Sequence, residues 1–196
     1  MRNVLHDISF YIMYGAAALA IFVIVERMIF FIFNARRAQA VASQAAQGPG
    51  EALDKALIKD ASVASELVQS LLLARKRFSG SDLEAAGDAA LIAAKEKLQR
   101  HLWLLDTIVT AAPLLGLLGT ILGIVDTFYS LAQSGMSDPA GVSSGIGTAL
   151  YATALGIGIA VFGLVFFNHF QDRVERITDA LKISVLRLSM RADAQV

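Results

Sequence analysis

Ala111-Ala112-Pro113-Leu114-Leu115-Gly116-Leu117-Leu118-Gly119-Thr120-Ile121-Leu122-Gly123 is the stretch that decides the fold of this chain. It lies within an apolar run long enough to cross a membrane, and it carries a helix-kinking proline, three glycines and one hydroxyl. Gly116, Gly119 and Gly123 are spaced three and four apart, so they stack on one side of a helix. A face without side chains lets a neighbouring helix approach closely. Lipid-facing filler has no need of that, so this helix is built to touch another helix, with Thr120 in the contact.

Working outward, the chain is 196 residues long, 56% hydrophobic and only 17% charged. Its mean hydropathy is +0.58. That balance is too apolar for an ordinary soluble domain. Net charge is zero, which gives no reason to expect a nucleic-acid partner. Cysteine is absent, which removes disulfides, thiol nucleophiles and thiolate metal sites. The three histidines, His6, His101 and His169, are too scattered for a metal cluster. No metal and no cofactor are expected.

Three runs carry no charge: Ile8 to Val25, Thr107 to Val125 and Pro139 to Gln171. A bilayer core takes about 20 apolar helical residues. The pattern therefore predicts an all-α polytopic membrane protein with three transmembrane helices, roughly Ile8–Phe33, Thr107–Gln133 and Ala140–Asn168. The first run has a weak basic flank and exceeds the length of a signal-peptide core, so it reads as an uncleaved anchor.

Basic residues orient these helices. Arg36, Arg37, Lys55, Lys59, Arg75, Lys76, Arg77, Lys95, Lys97 and Arg100 lie between the first two spans, and Arg173, Arg176, Lys182, Arg187 and Arg191 follow the third. The link around Ser134–Pro139 has none, and the N-terminal flank has only Arg2. The expected organisation is an outward N-terminus and first span over 1–33, a cytoplasmic helical segment over 34–106 and a second span over 107–133. A periplasmic link over 134–139, a third span over 140–168 and a cytoplasmic helical tail over 169–196 complete it.

Inside the cytoplasmic part, Asn34–Ala46 favours helix and Gly48-Pro49-Gly50 breaks it. Glu51–Phe78 reads as one helix with an apolar stripe of Leu53, Ala56, Leu57, Val63, Leu67, Val68, Leu71 and Leu72. Ser81-Asp82-Leu83-Glu84 fits a capping box, and Gly87 is the only weak breaker before Pro113. A helix from about Asp82 is thus expected to run unbroken into the second span, with Leu91, Ala94, Leu98 and His101 or Leu102 on its apolar face. The third span continues through Val174, Ile177, Leu181, Val185 and Leu188. Two of the membrane helices therefore extend into a cytoplasmic helical bundle. So many apolar faces exceed what one chain can cover, which points to a homo-oligomer; a small bundle within each monomer is the plainer alternative.

No nucleophile elbow, P-loop or paired carboxylate is present, so the sequence does not read as an enzyme. The centres of the second and third spans hold no Asp, Glu, Lys, Arg or His. Glu26 and Arg27 sit toward the inner end of the first span, where they can neutralise each other or snorkel. Asp126 lies toward the outer end of the second, a position open to water. Interior hydroxyls remain: Thr120, Thr148 and Thr153. A membrane threonine commonly bonds its own i−4 carbonyl; it can also line a wet path. It cannot carry a proton at neutral pH. If protons cross here, the titrating carboxylate comes from another membrane chain. The third span is also smooth, with Ala149, Thr153, Gly156 and Ala160 on one face.

These residues resemble the MotA/TolQ/ExbB proton-channel family, in its ExbB and TolQ branch. The likeness is carried by Ala112–Ile124, by Gly145-Ile146-Gly147-Thr148-Ala149-Leu150-Tyr151-Ala152-Thr153-Ala154-Leu155-Gly156, and by Val25-Glu26-Arg27-Met28. The resemblance implies a bacterial inner-membrane stator. It would form a ring, thought to be a pentamer, around a single-span partner similar to ExbD or TolR that brings a membrane aspartate. It implies an ion-driven motor passing force to TonB- or TolA-like proteins, with Thr120 and Thr153 facing the pore. One position departs: where that branch usually has a glutamate, this chain has Thr148. A non-conducting membrane scaffold is the competing reading, and proton versus sodium stays open.

Overall fold

The computed structural model describes residues 2–47, 62–134 and 139–193. Among them there is no strand, and five helices follow in order: α1 (Arg2–Gln47), α2 (Val63–Arg75), α3 (Ser81–Gln99), α4 (Leu102–Ser134) and α5 (Pro139–Asp193). Three are long and apolar enough to cross a bilayer, over Ile8–Ala40, Leu102–Gln133 and Pro139–Leu186. The chain is thus an all-α polytopic membrane protein. Only 22 to 28% of each most apolar window is covered by the chain itself. A helix apolar all round has to be covered by lipid or by other chains.

The chain forms two compact units. The first comprises Met1–Val25 and His101–Asn168. Its buried positions include Met13, Val23 and Ile24 on α1, Leu105 and Ala112 on α4, and Ala149, Ala152 and Ala160 on α5. On α5 these are small residues, because that helix meets α4 backbone to backbone. The second unit comprises Glu26–Arg100 and His169–Val196. Its core is bulkier: Phe31, Leu67, Val68, Leu71, Leu83, Leu98, Phe170, Val174, Ile177, Leu181 and Val185 are buried. The Phe31 and Phe170 rings stack with centroids 5.5 Å apart. Each fully buried leucine stabilises by about 2–3 kcal/mol.

Most of the stripe residues expected on the second unit's helices are buried, as far as they are described; Leu72 and Leu91 are half-buried. Leu53, Ala56, Leu57 and the Gly48-Pro49-Gly50 break lie outside the described residues, as do the Leu188 side chain and most of the 134–139 link.

Three expectations about helix ends fail. Of the helix expected over Glu51–Phe78, the described part begins only at Val63, capped by Ser62, whose backbone is extended (φ −95°, ψ 151°). Its hydroxyl accepts a hydrogen bond from the Ser65 amide at 3.3 Å. The Val63 amide donates to Asn34 Oδ1 at 3.1 Å. A side chain of α1 thereby satisfies one of the orphan donors at the start of α2. Helix α2 ends at Arg75, short of Phe78.

The capping box at Ser81 does not form. Gly80 is the cap, at φ +58°, and Ser81 is already helical without a side-chain cap bond. The backbone supplies the closure instead, with the Gly80 carbonyl accepting from the Leu83 and Glu84 amides at 3.1 and 3.2 Å.

The unbroken helix from Asp82 into the second span is two helices. Arg100 is extended (ψ 136°) and His101 is left-handed at φ +67°. Histidine tolerates this conformation better than most side chains. The break falls at the boundary between the two units. The helices that run unbroken through both units are α1 and α5. Gly87, by contrast, sits inside α3 as a notch: a β-carbon there would stand 2.8 Å from Val185 Cγ1 and 3.5 Å from Leu71 Cδ2.

Candidate functional site

The site is built where α4 and α5 cross within the first unit. Pro113 stands inside α4 without ending it. One turn later, a β-carbon on Gly116 would lie 2.9 Å from the Ala152 carbonyl oxygen and 3.0 Å from Thr153 Cα. On the facing helix, a β-carbon on Gly156 would collide with the Ala112 carbonyl oxygen and lie 3.1 Å from Gly116 Cα. The glycines therefore set the helix separation, because any side chain would push the backbones apart. Gly119 faces two neighbours: its β-carbon would stand 2.9 Å from Ala152 Cβ and 3.1 Å from Ser9 Oγ on α1. Gly123 is also buried, and its carbonyl accepts from the Thr127 hydroxyl at 2.8 Å.

This close approach brings two hydroxyls together. Thr120 Oγ1 is 3.1 Å from its own i−4 carbonyl at Gly116 and 3.1 Å from the Ala149 carbonyl across the interface. Thr153 Oγ1 reaches across to the Gly116 carbonyl at 3.1 Å, and the two threonine hydroxyls contact each other. A hydroxyl donates one hydrogen and can accept two. Two hydrogens are thus shared over four contacts, and the pair can exchange donors without changing its charge. Both threonines are half-buried. The expectation that Thr120 bonds its own helix is met, but it also bridges the two helices.

Of the other positions on the smooth face of α5, Ala149, Gly156 and Ala160 are buried. Thr148 is not in the cluster. It is exposed, and its hydroxyl donates to the Ser144 carbonyl at 3.0 Å. Asp126 on α4 is half-exposed.

In the second unit, Glu26 and Arg27 pair within the chain. Arg27 Nε donates to Glu26 Oε2 at 2.6 Å and Nη2 to Oε1 at 2.7 Å. The guanidinium lies 4.4 Å from the Phe30 ring centroid. Its charge is buried, and the two-pronged carboxylate and the ring face offset the loss of water.

Two side chains here escape a reading of the sequence. Ser9 is buried against Gly119 with no hydrogen-bond partner among the described residues. Asn34 is buried as well, donating to the Phe30 carbonyl at 3.0 Å while capping α2. An asparagine just before the Arg36-Arg37 pair is the only signal for the second, and a lone serine in an apolar helix gives none for the first.

Comparison with known proteins adds a further finding. A model described as the MotA/TolQ/ExbB proton channel family matches residues 54–183. The chain is 35% identical over 106 residues to the biopolymer transport protein ExbB of Helicobacter pylori, covering 54% of this chain and 72% of that one. It is 35% identical over 86 residues to the ExbB of Aquifex aeolicus, covering 43% and 58%. It is 37% identical over 83 residues to the Tol-Pal system protein TolQ of Pseudomonas aeruginosa, covering 42% and 36%. In the last two the aligned stretch is less than two thirds of the relative's own length.

Proposed function

The chain belongs to the MotA/TolQ/ExbB proton channel family, and from that premise we propose that it is the inner-membrane stator subunit of an ion-driven motor powered by the proton-motive force. In this reading several copies form a ring around a single-span ExbD/TolR-like protein. The partner's movement energises a periplasmic or outer-membrane process through a TonB- or TolA-like protein. The basic residues put the N-terminus in the periplasm and the C-terminus in the cytoplasm. Residues 34–106 and 169–196 are then the cytoplasmic helical parts, and 134–139 the periplasmic link.

The observation that carries this reading is the Thr120–Thr153 pair. It is a hydroxyl and carbonyl cluster between two spans whose centres contain no carboxylate, amine, guanidinium or imidazole. Such a cluster offers polar contact to a path but no proton acceptor. The acid is supplied in trans, and Thr120 and Thr153 face it across the path. Pro113, Gly116, Gly119, Gly123, Ala149, Gly156 and Ala160 hold the two helices at the separation this needs, and Glu26 with Arg27 anchors the inner end of the first span.

Ion flux into liposomes tests it, with the chain alone and with its single-span partner. Flux is expected only with the partner. It is expected to fall at least about tenfold in Thr153→Ala and Thr153→Val and to persist in Thr153→Ser, which keeps the hydroxyl. Equal flux from the chain alone overturns the acid in trans. A second reading is favoured by one observation: Thr148, where the branch usually has a glutamate, is exposed, and among the described residues its hydroxyl bonds the Ser144 carbonyl of its own helix. A complex that assembles with the partner yet carries no gradient-dependent flux selects a non-conducting scaffold.

A further inference from the structure

The second unit contains a cavity of about 270 Å³ between α1 and α5. Its floor is the stacked Phe31–Phe170 pair, and its polar rim is Arg36, Gln39, His169 and Arg173. No carboxylate lines it. Among the described residues, Arg36 has no ion-pair partner, and the hydrogen bond of Arg173 is from Nε to His169 Nε2 at 3.5 Å. The outer amino groups of both guanidinium groups are therefore available to an anion.

Position along the helices identifies the anion. On α5 the uncharged run ends at Gln171, immediately before Asp172 and Arg173. On α1, the apolar stretch Met28–Phe33 gives way to Arg36 and Arg37. The cavity thus lies where apolar helix surface changes to charged surface. Met28 and Ile32, both substantially exposed, line the same cavity and offer a surface for hydrocarbon. A basic rim over an apolar floor at this level matches a phosphodiester with acyl chains attached.

We propose that this cavity binds the headgroup of an anionic phospholipid of the leaflet at that end of the helices, with Arg36 and Arg173 holding the phosphate and His169 and Gln39 contacting the headgroup's polar groups. The site needs only the membrane location of the helices and is independent of ion conduction.

Native mass spectrometry of the delipidated full-length chain tests this, by titration with phosphatidylglycerol and with phosphatidylcholine. Phosphatidylglycerol is expected to bind tighter, and Arg36→Gln/Arg173→Gln to weaken it about fivefold for each arginine removed. Phosphatidylcholine has the same phosphodiester but sets its choline cation against the basic rim, so it should start weaker and lose less in the double variant, which narrows the preference between the two lipids. Arg176→Gln, which removes one charge from α5 outside the cavity, is expected to keep the preference. Equal binding of the two lipids, or an equal loss in Arg176→Gln, overturns the proposal. Displacement of bound phosphatidylglycerol by millimolar inorganic phosphate does so too, because it marks a free-anion site. If the glutamine variant does not fold, Arg36→Lys/Arg173→Lys takes its place. It keeps the charge and loses the planar fork, so a weakened but surviving preference supports the site and its complete absence overturns it.

Discussion

The two units of this chain are held together by opposite means. In the first, α4 and α5 approach until glycine is the only residue that fits, and the interface is made of backbone, alanine methyls and two hydroxyls. In the second, leucine, valine and phenylalanine side chains interdigitate, and helix ends are fixed by polar side chains such as Ser62 and Asn34. The reason lies in the solvent. Against lipid, burying another leucine gains little, so close van der Waals approach and interhelical hydrogen bonds carry association. Beyond the uncharged runs that end at Val25 and Gln171, charged residues bring the helices into contact with water, and there hydrophobic burial supplies the driving force. Unequal costs of deletion and insertion follow from this.

Removing volume is expected to hurt most in the second unit. Leu181 is fully buried there, and Leu181→Ala should cost about 3 kcal/mol. That is a fall of roughly 6–12 °C in the unfolding midpoint of the detergent-solubilised protein; a change below about 2 °C breaks the comparison.

Adding volume is expected to hurt in the first unit, and only on one face. Gly156→Ala places a methyl against the Ala112 carbonyl, where backbone cannot yield. It should cost about 2 kcal/mol, the middle of the overpacking range. A β-carbon on Gly158 would meet nothing within 4 Å, so Gly158→Ala should be neutral or stabilise by up to about 1 kcal/mol through helix propensity. Thermal unfolding of the two variants side by side checks this. Equal effects at the two positions would show that glycine content, and not its placement, is what matters.

The smallest change sharpens the role of polar ends. Asn34→Ala removes the acceptor for the Val63 amide, and it is expected to cost about 1 kcal/mol. Its signature is faster hydrogen exchange confined to the first turn of α2, with α4 and α5 unaffected.

Much of the first unit is legible directly from residue types. The spacing of Gly116, Gly119 and Gly123 and of Ala149, Thr153, Gly156 and Ala160 needs only helical periodicity, and membrane length excludes strands. The meeting of Thr120 with Thr153 can be anticipated as a facing pair, but the shared Gly116 carbonyl cannot, since it depends on how closely the backbones approach. Helix ends in the second unit resist such reading because their signals are ambiguous. Ser81 has the composition of a cap, but Gly80 takes that role through a left-handed backbone. His101 carries a break with neither glycine nor proline beside it. Asn34 closes its bond with a residue 29 positions away, a separation over which local pattern carries no information. The basic cavity is hidden for the same reason, because Arg36 and Arg173 belong to different helices.

The Asn34 cap also has a consequence for biosynthesis. Chains emerge from the ribosome N-terminus first, at about 5–20 residues per second. Asn34 on α1 is made before the Ser62–Val63 segment it will hold, so several seconds at the slower rate separate acceptor from donor. During that interval α1 can already be lodged in the bilayer, and the start of α2 then folds onto a fixed template. The order of synthesis and the direction of this hydrogen bond agree, so the first membrane helix serves as a jig for the helix that follows it.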